Sequence, residues 1–142
     1  MTNYLLDTNA LSEAPKKAPD GSFMEWFASA DELNLFTSCL VLGEIKKGIS
    51  LNTDGDKQKL FNKWLAEIVD GFDNRIIEVD KEVCLLWGEL TATGQRLGKT
   101  PPAIDALIAA QCLQHNLVLV TRNVKDFEQF SDLKILCPWS NQ

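Results

Sequence analysis

The segment Leu117-Val118-Leu119-Val120-Thr121 is apolar without interruption until its last residue, whose hydroxyl closes the run. A strand with one wet face alternates apolar and polar side chains, so a run of this kind needs cover on both faces, as in an inner strand of a parallel sheet. Parallel neighbours cannot be joined by a hairpin; each pair requires a crossover, usually a helix. The rest of the chain has the matching alternation. Tyr4-Leu5-Leu6, Leu33 to Thr37, Arg75 to Val79 and Leu133 to Leu136 read as further strands. Between them, helical spacing runs through Phe23 to Phe27, from Cys39 to about Ser50 behind a Ser38 cap, from Leu60 to Phe72, and from an Asp80 cap to about Leu97. Pro101 and Pro102 fit the first turn of a helix reaching His115, which Asn116 ends. The expected fold class is α/β: a three-layer α/β/α sandwich around a mostly parallel sheet of four to five strands, in a single domain across residues 1–142.

Composition removes whole chemistries. Cys39, Cys84, Cys112 and Cys137 lie far apart in apolar surroundings and form no Cys-x-x-Cys pair, so all four read as reduced core residues. His115, the sole histidine, suits a helix C-terminus and leaves a Cys/His zinc site or a histidine-paired nucleophile without parts. No phosphate-cradling glycine loop, dinucleotide fingerprint or Gly-x-Ser-x-Gly occurs. Asn52-Thr53-Asp54-Gly55-Asp56 looks like part of a calcium loop but lacks the distal Glu, and reads as a turn. The N-terminal residues lack the pattern of a signal peptide and no stretch is apolar and long enough to cross a bilayer; a cytoplasmic location without membrane contact is expected. What remains in quantity is carboxylate. Acidic residues outnumber basic ones 20 to 14, a formal charge of −6, which disfavours holding nucleic acid by phosphate neutralisation alone.

In open parallel sheets, ligands bind beyond the C-terminal strand ends. Asp7 with Asn9 follows the first strand, and Asn123 with Asp126 follows the strand that ends at Thr121; helix capping is the plain alternative for each. Asp105 is sharper, because Ala103-Ile104-Asp105-Ala106-Leu107-Ile108-Ala109-Ala110 is otherwise apolar and the same-face neighbours of the acid are Ile108, Ala109 and Cys112. A charge there is costly unless paired, either with an arginine or with a ligand. Glu44 shares a helix face with Leu40, Val41 and Gly48; Gly43 and Gly48 would let another backbone come close, and Lys47 is its alternative partner. Four separated segments that each aim an acid at one pocket would repel one another unless hard divalent cations sat among them. All-oxygen ligation favours Mg²⁺ or Mn²⁺, and the chemistry such a site performs without histidine is phosphodiester hydrolysis.

These residues fall in four ordered motifs: Tyr4-Leu5-Leu6-Asp7-Thr8-Asn9-Ala10-Leu11-Ser12-Glu13, Leu42-Gly43-Glu44-Ile45 with Lys46-Lys47-Gly48-Ile49, Ile104-Asp105-Ala106-Leu107-Ile108-Ala109-Ala110, and Leu119-Val120-Thr121-Arg122-Asn123-Val124-Lys125-Asp126-Phe127. Nearly end to end, the chain resembles a PIN-domain ribonuclease of the VapC type, the toxin of a toxin-antitoxin pair. The resemblance implies an acidic triad of Asp7, Glu44 and Asp105, with Asp7 and Asp105 as direct Mg²⁺ or Mn²⁺ ligands, Glu44 as an inner- or outer-shell helper and Thr8 holding the Asp7 turn. Many relatives carry Asp where this chain has Asn123, and here the acid comes at Asp126, so either residue could complete the site, around one ion or two. The resemblance further implies transfer or ribosomal RNA as substrate, a homodimer with a shared groove, and a cognate antitoxin laid across it. Phe23, Trp26, Phe27 and Trp64 are candidates for those contacts. Lys46, Lys47, Arg96, Lys99, Arg122 and Lys125 are candidates for phosphate or an acidic partner. Two other readings use the same residues: a phosphoaspartyl phosphatase of haloacid-dehalogenase type with Asp7 as nucleophile, whose usual second Asp is Asn9 here, and a non-catalytic binding module.

Overall fold

The structure, a computed structural model, describes residues 1–140. Its strands are β1 (Asn3–Leu6), β2 (Leu35–Ser38), β3 (Ile76–Ile77), β4 (Leu117–Val120) and β5 (Ile135–Leu136), and its α-helices are α1 (Thr8–Leu11), α2 (Gly21–Ser29), α3 (Cys39–Leu51), α4 (Gly55–Phe72), α5 (Lys81–Arg96) and α6 (Ala103–His115). The strands form one sheet in the order β3-β2-β1-β4-β5, every pair parallel. Successive residues of β1 point to opposite faces, and each face has its own core. Leu5 packs with Leu119, Val41 and Ile45 of α3, and Ile108 and Cys112 of α6. Leu6 packs with Val120, Phe23 of α2 and Trp139. Two apolar layers around a five-stranded parallel sheet are the sandwich expected from the unalternating β4 run.

Caps set most helix starts. Ser38 Oγ accepts from the Leu40 amide at the head of α3, and Asp80 from the Val83 amide at the head of α5. Asn116 ends α6 in the left-handed region at φ 54°, a conformation asparagine tolerates better than most residues. The 52–56 segment is not a turn throughout: Asp54 accepts from the Asp56 and Lys57 amides, so α4 starts at Gly55, five residues before the apolar pattern does. Both prolines precede α6, with Pro102 at its cap.

Strands β2 and β3 are shorter than the pattern suggests. Asp31 caps a 3-10 turn over Glu32–Asn34, which delays β2 to Leu35. A second such turn, Asp73–Arg75, uses up Arg75, whose guanidinium donates to the carbonyls of Glu32, Leu35 and Gly71. Only Ile76 and Ile77 are left for β3, paired with Thr37 and Ser38.

Two expectations need correction. Of the cysteines only Cys112 is buried; Cys39 and Cys137 are half-buried and Cys84 lies exposed on α5. Cys84 occupies a face of α5 that none of the described elements covers, which an apolar local sequence does not reveal. Among the described residues no backbone closes on Gly43 or Gly48, since a Cβ at either would have nothing within 4 Å.

Candidate active site

The strand order reverses between β1 and β4, and the crevice at such a switch point, beyond the C-terminal strand ends, is where open α/β sheets bind ligands. Leu6 pairs with Val120 across it, so the next residues, Asp7 and Thr121, stand level. They are bonded: Thr121 Oγ1 donates to Asp7 Oδ2 at 2.8 Å, while Asp7 Oδ1 accepts from the Thr8 amide at 2.9 Å. The Thr121 hydroxyl also accepts from Asn9 Nδ2 (3.4 Å) and from the Asn123 amide (3.1 Å), and Asn9 Oδ1 accepts from the Arg122 amide (3.1 Å). One donor and two acceptor sites of a buried hydroxyl are thereby all used. Asp7 does cap α1, as the plain reading allowed, yet it is only 6% exposed and one of a set of mutually repelling acids.

Burial pushes the Asp7 carboxyl above its ordinary range, against the hydrogen bonds from Thr121 and Thr8, and the charge of Asp126 adds to the rise. Asp105 is raised by burial first, then by Asp126 and Asp7. Glu44, more exposed, is raised by desolvation, by Asp7 and by Asp105, with Thr8 and Lys47 opposing. Four carboxylates from four elements thus share one field. No salt bridge among the described residues involves Asp105 or Glu44, so neither the arginine pairing considered for Asp105 nor the Glu44–Lys47 pairing is formed.

The donor set is oxygen alone, three or four carboxylates with a threonine hydroxyl, which fits a hard divalent cation and no softer metal. Thr8 Oγ1 is a buried hydroxyl directed at Glu44 of the cluster and makes no close, well-aligned hydrogen bond among the described residues. Among the described residues, however, no three acidic, histidine or cysteine side chains surround a common point closely enough to hold an ion. The acids form an electrostatic cluster and not a closed ligand set.

The other sequence candidates divide. The charge of Asp126, at the exposed end of the 3-10 turn Val124–Asp126, reaches Asp7 and Asp105. Asn123 joins through its backbone amide and is not a side-chain cap. Thr8 holds the Asp7 turn by its amide rather than its hydroxyl. Lys47 is exposed beside Glu44, whereas Lys46 is turned aside and donates to Asn62 of α4 at 2.6 Å. The Arg122 side chain is exposed, and its charge bears on Asp20. Arg96 bonds Thr93 on its own helix. Phe23 is core, stacked 4.7 Å from Trp139, and is therefore not a surface contact; Trp26 and Phe27 are half-buried beside it. Trp64 lines a cavity of about 260 Å³ with Thr8, Ser12, Glu44, Gly48 and Phe61, which opens from the acidic cluster along α4. Thr121 is the site residue the motifs did not single out. Its signal was present as the one polar residue closing an apolar strand.

Compared with known proteins, the sequence matches the PIN domain family over residues 4–133. It is 29% identical over 136 residues to toxin FitB of Neisseria gonorrhoeae, covering 95% of this chain and 97% of that protein. It is 27% identical to VapC ribonuclease Y4jK of Sinorhizobium fredii, covering 95% and 96%. The fold superposes on the crystal structure of FitAcB from Neisseria gonorrhoeae with a TM-score of 0.87 at 28% identity, covering 96% of this chain and 99% of that one.

Proposed function

The chain belongs to the PIN-domain family, and from that membership we propose that it is a divalent-metal-dependent endoribonuclease, the toxin of a toxin-antitoxin pair. The observation that carries the reading is the convergence of Asp7, Glu44, Asp105 and Asp126 in one field at the sheet's switch point. Toxin FitB and VapC ribonuclease Y4jK, its relatives over nearly their full lengths, support both halves of the assignment. The phosphatase and binding-module readings lose their ground with it.

Asp7 and Asp105 would hold the cation, Mg²⁺ or Mn²⁺, with Glu44 beside them and Asp126, or Asn123 through its amide oxygen, completing the shell. Bound there, such an ion lowers the pKa of a water and offsets charge on the phosphate. Asp7 comes to this task oriented: two of its roughly four lone-pair sites are taken by Thr8 and Thr121, which leaves the others for a ligand. A water attacking phosphorus must lose a proton as the new P–O bond forms. A Glu44 carboxylate oxygen, whose proton affinity burial and then the charges of Asp7 and Asp105 raise, accepts it, while the P–O bond opposite the attack breaks and its leaving ribose oxygen takes a proton from solvent. Lys47 and Arg122, with Lys125 on the same loop, contact flanking phosphates, against a net charge that gives little general attraction. The site accepts a flexible single-stranded segment, such as a loop of transfer or ribosomal RNA, in the cytoplasm where those RNAs are. A cognate antitoxin covers the cavity between Glu44 and Trp64, and the chain pairs as a homodimer whose two sites share a groove.

Purified protein with a single-stranded RNA and Mn²⁺, beside Asp7→Asn, tests this. Wild type should cleave only with the ion and arrest growth when expressed; the variant should keep its circular dichroism spectrum and lose both activities. A folded Asp7→Asn protein that cleaves and arrests growth like wild type would refute the assignment.

A further inference from the structure

Gln111 is fully buried in the middle of α6, on a helix otherwise apolar toward the core. An amide in that position is costly unless its hydrogen bonds are made, and this one makes three. Its Nε2 donates to the carbonyls of Ile77 and Glu78, both at 3.1 Å, and its Oε1 accepts from Ser38 Oγ at 2.6 Å. Ser38 Oγ in turn accepts from the Leu40 amide at 3.0 Å as the cap of α3. One side chain therefore ties the end of β2, the end of β3, the first turn of α3 and the centre of α6.

The two helices so joined carry two of the clustered acids. Asp105 lies six residues before Gln111 on α6 and Glu44 six residues after Ser38 on α3, about 9 Å of helix rise in each case. Apolar contacts are non-directional, whereas hydrogen bonds of set distance and angle specify one register of α3 on α6. We infer that Gln111 is a positioning residue, fixing α3 against α6 and thereby the separation of Glu44 from Asp105 that a shared ligand requires. The inference rests on the reading of both acids as site residues.

The test compares wild type, Gln111→Leu, Ser38→Ala and, as a core variant remote from the joint, Leu133→Ala. Mn²⁺ affinity is measured by calorimetry on EDTA-stripped protein well below each melting temperature, beside kcat and KM for RNA cleavage. Gln111→Leu should weaken Mn²⁺ binding by about tenfold or more and lower kcat with KM within about twofold, as loss of a supporting shell does. Leu133→Ala should lose melting temperature and keep its Mn²⁺ affinity. Ser38→Ala should move in the same direction as Gln111→Leu by a smaller factor, and it carries the test should Gln111→Leu fail to fold. Unchanged Mn²⁺ affinity in the folded joint variants, or an equal loss in Leu133→Ala, overturns the role of Gln111 alone. A folded wild type that binds no Mn²⁺ overturns the metal-site reading, and this inference with it.

Discussion

At Asp105 the demands of folding and of chemistry oppose each other. Its neighbours one turn on, Ile108 and Ala109, are buried, and the charges of Asp126 and Asp7 act on it, so ionisation is disfavoured first by desolvation and then by repulsion. The proposed cation would offset that cost. Replacing it with the near-isosteric Asn removes the repulsion and an anionic ligand together. Asp105→Asn should abolish Mn²⁺-dependent cleavage while leaving EDTA-treated protein as stable as wild type or up to about 1 kcal/mol more stable, the gain held small by solvent screening of a partly exposed group. Were Asp105 instead one half of a structural ion pair, the loss would be about 3–5 kcal/mol. Denaturant unfolding of both proteins in EDTA separates the two outcomes.

Among the elements, those whose cause is local could be read from the chain and those held by distant contacts could not. The β4 run declared a buried parallel strand, Ser38 and Asp80 declared helix starts, and a lone acid in the apolar stretch of α6 declared Asp105. The limits of β2 and β3 depend on Arg75, whose guanidinium reaches carbonyls up to 43 residues away. Asp54 was ambiguous because an aspartate serves turn and N-cap alike. The link of Thr121 to Asp7 spans 114 residues and follows only from the register of β1 on β4. Gly94 stands two residues before the end of α5, where Gly→Ala would ordinarily add about 1 kcal/mol of helix stability. It is instead buried, and a Cβ there would meet the Lys99 carbonyl oxygen at 2.6 Å and Pro101 Cδ at 2.7 Å. This is the corner that aims α5 into α6. Gly94→Ala should therefore destabilise by roughly 1–3 kcal/mol, the cost of overpacking against backbone, and a melting temperature equal to or above wild type would contradict the packing described.

Across the whole molecule, two sets of carboxylates answer pH with opposite sign. Asp7, Glu44 and Asp105 hold protons more tightly folded than unfolded, so without metal they contribute stability as pH falls from neutrality through their raised folded pKa values toward the ordinary ones near 3.8 and 4.5. Glu13 and Asp20 are lowered, Glu13 first by the Trp139 indole N–H at 2.7 Å and Asp20 first by the Ser140 hydroxyl, and they pin the C-terminal residues to the loop after α1 and to the head of α2. Their contribution is complete above the ordinary carboxylate range and disappears as pH falls through their depressed values. Descending from pH 7, EDTA-treated protein should first gain stability and then lose it, with the highest melting temperature on the acid side of neutrality. Divalent ions would bind only the ionised cluster, so Mn²⁺ should reverse the first limb. At about 100 times its dissociation constant the ion adds about 2.7 kcal/mol, which for a chain of this size is a rise of roughly 5–15 °C, greatest near pH 7 and vanishing as the acids protonate. Melting curves from pH 4 to 8 with EDTA and with Mn²⁺ measure both limbs. A metal-free melting temperature that climbs steadily to pH 8, or an Mn²⁺ increment that does not depend on pH, would mean that these acids do not form one coupled site.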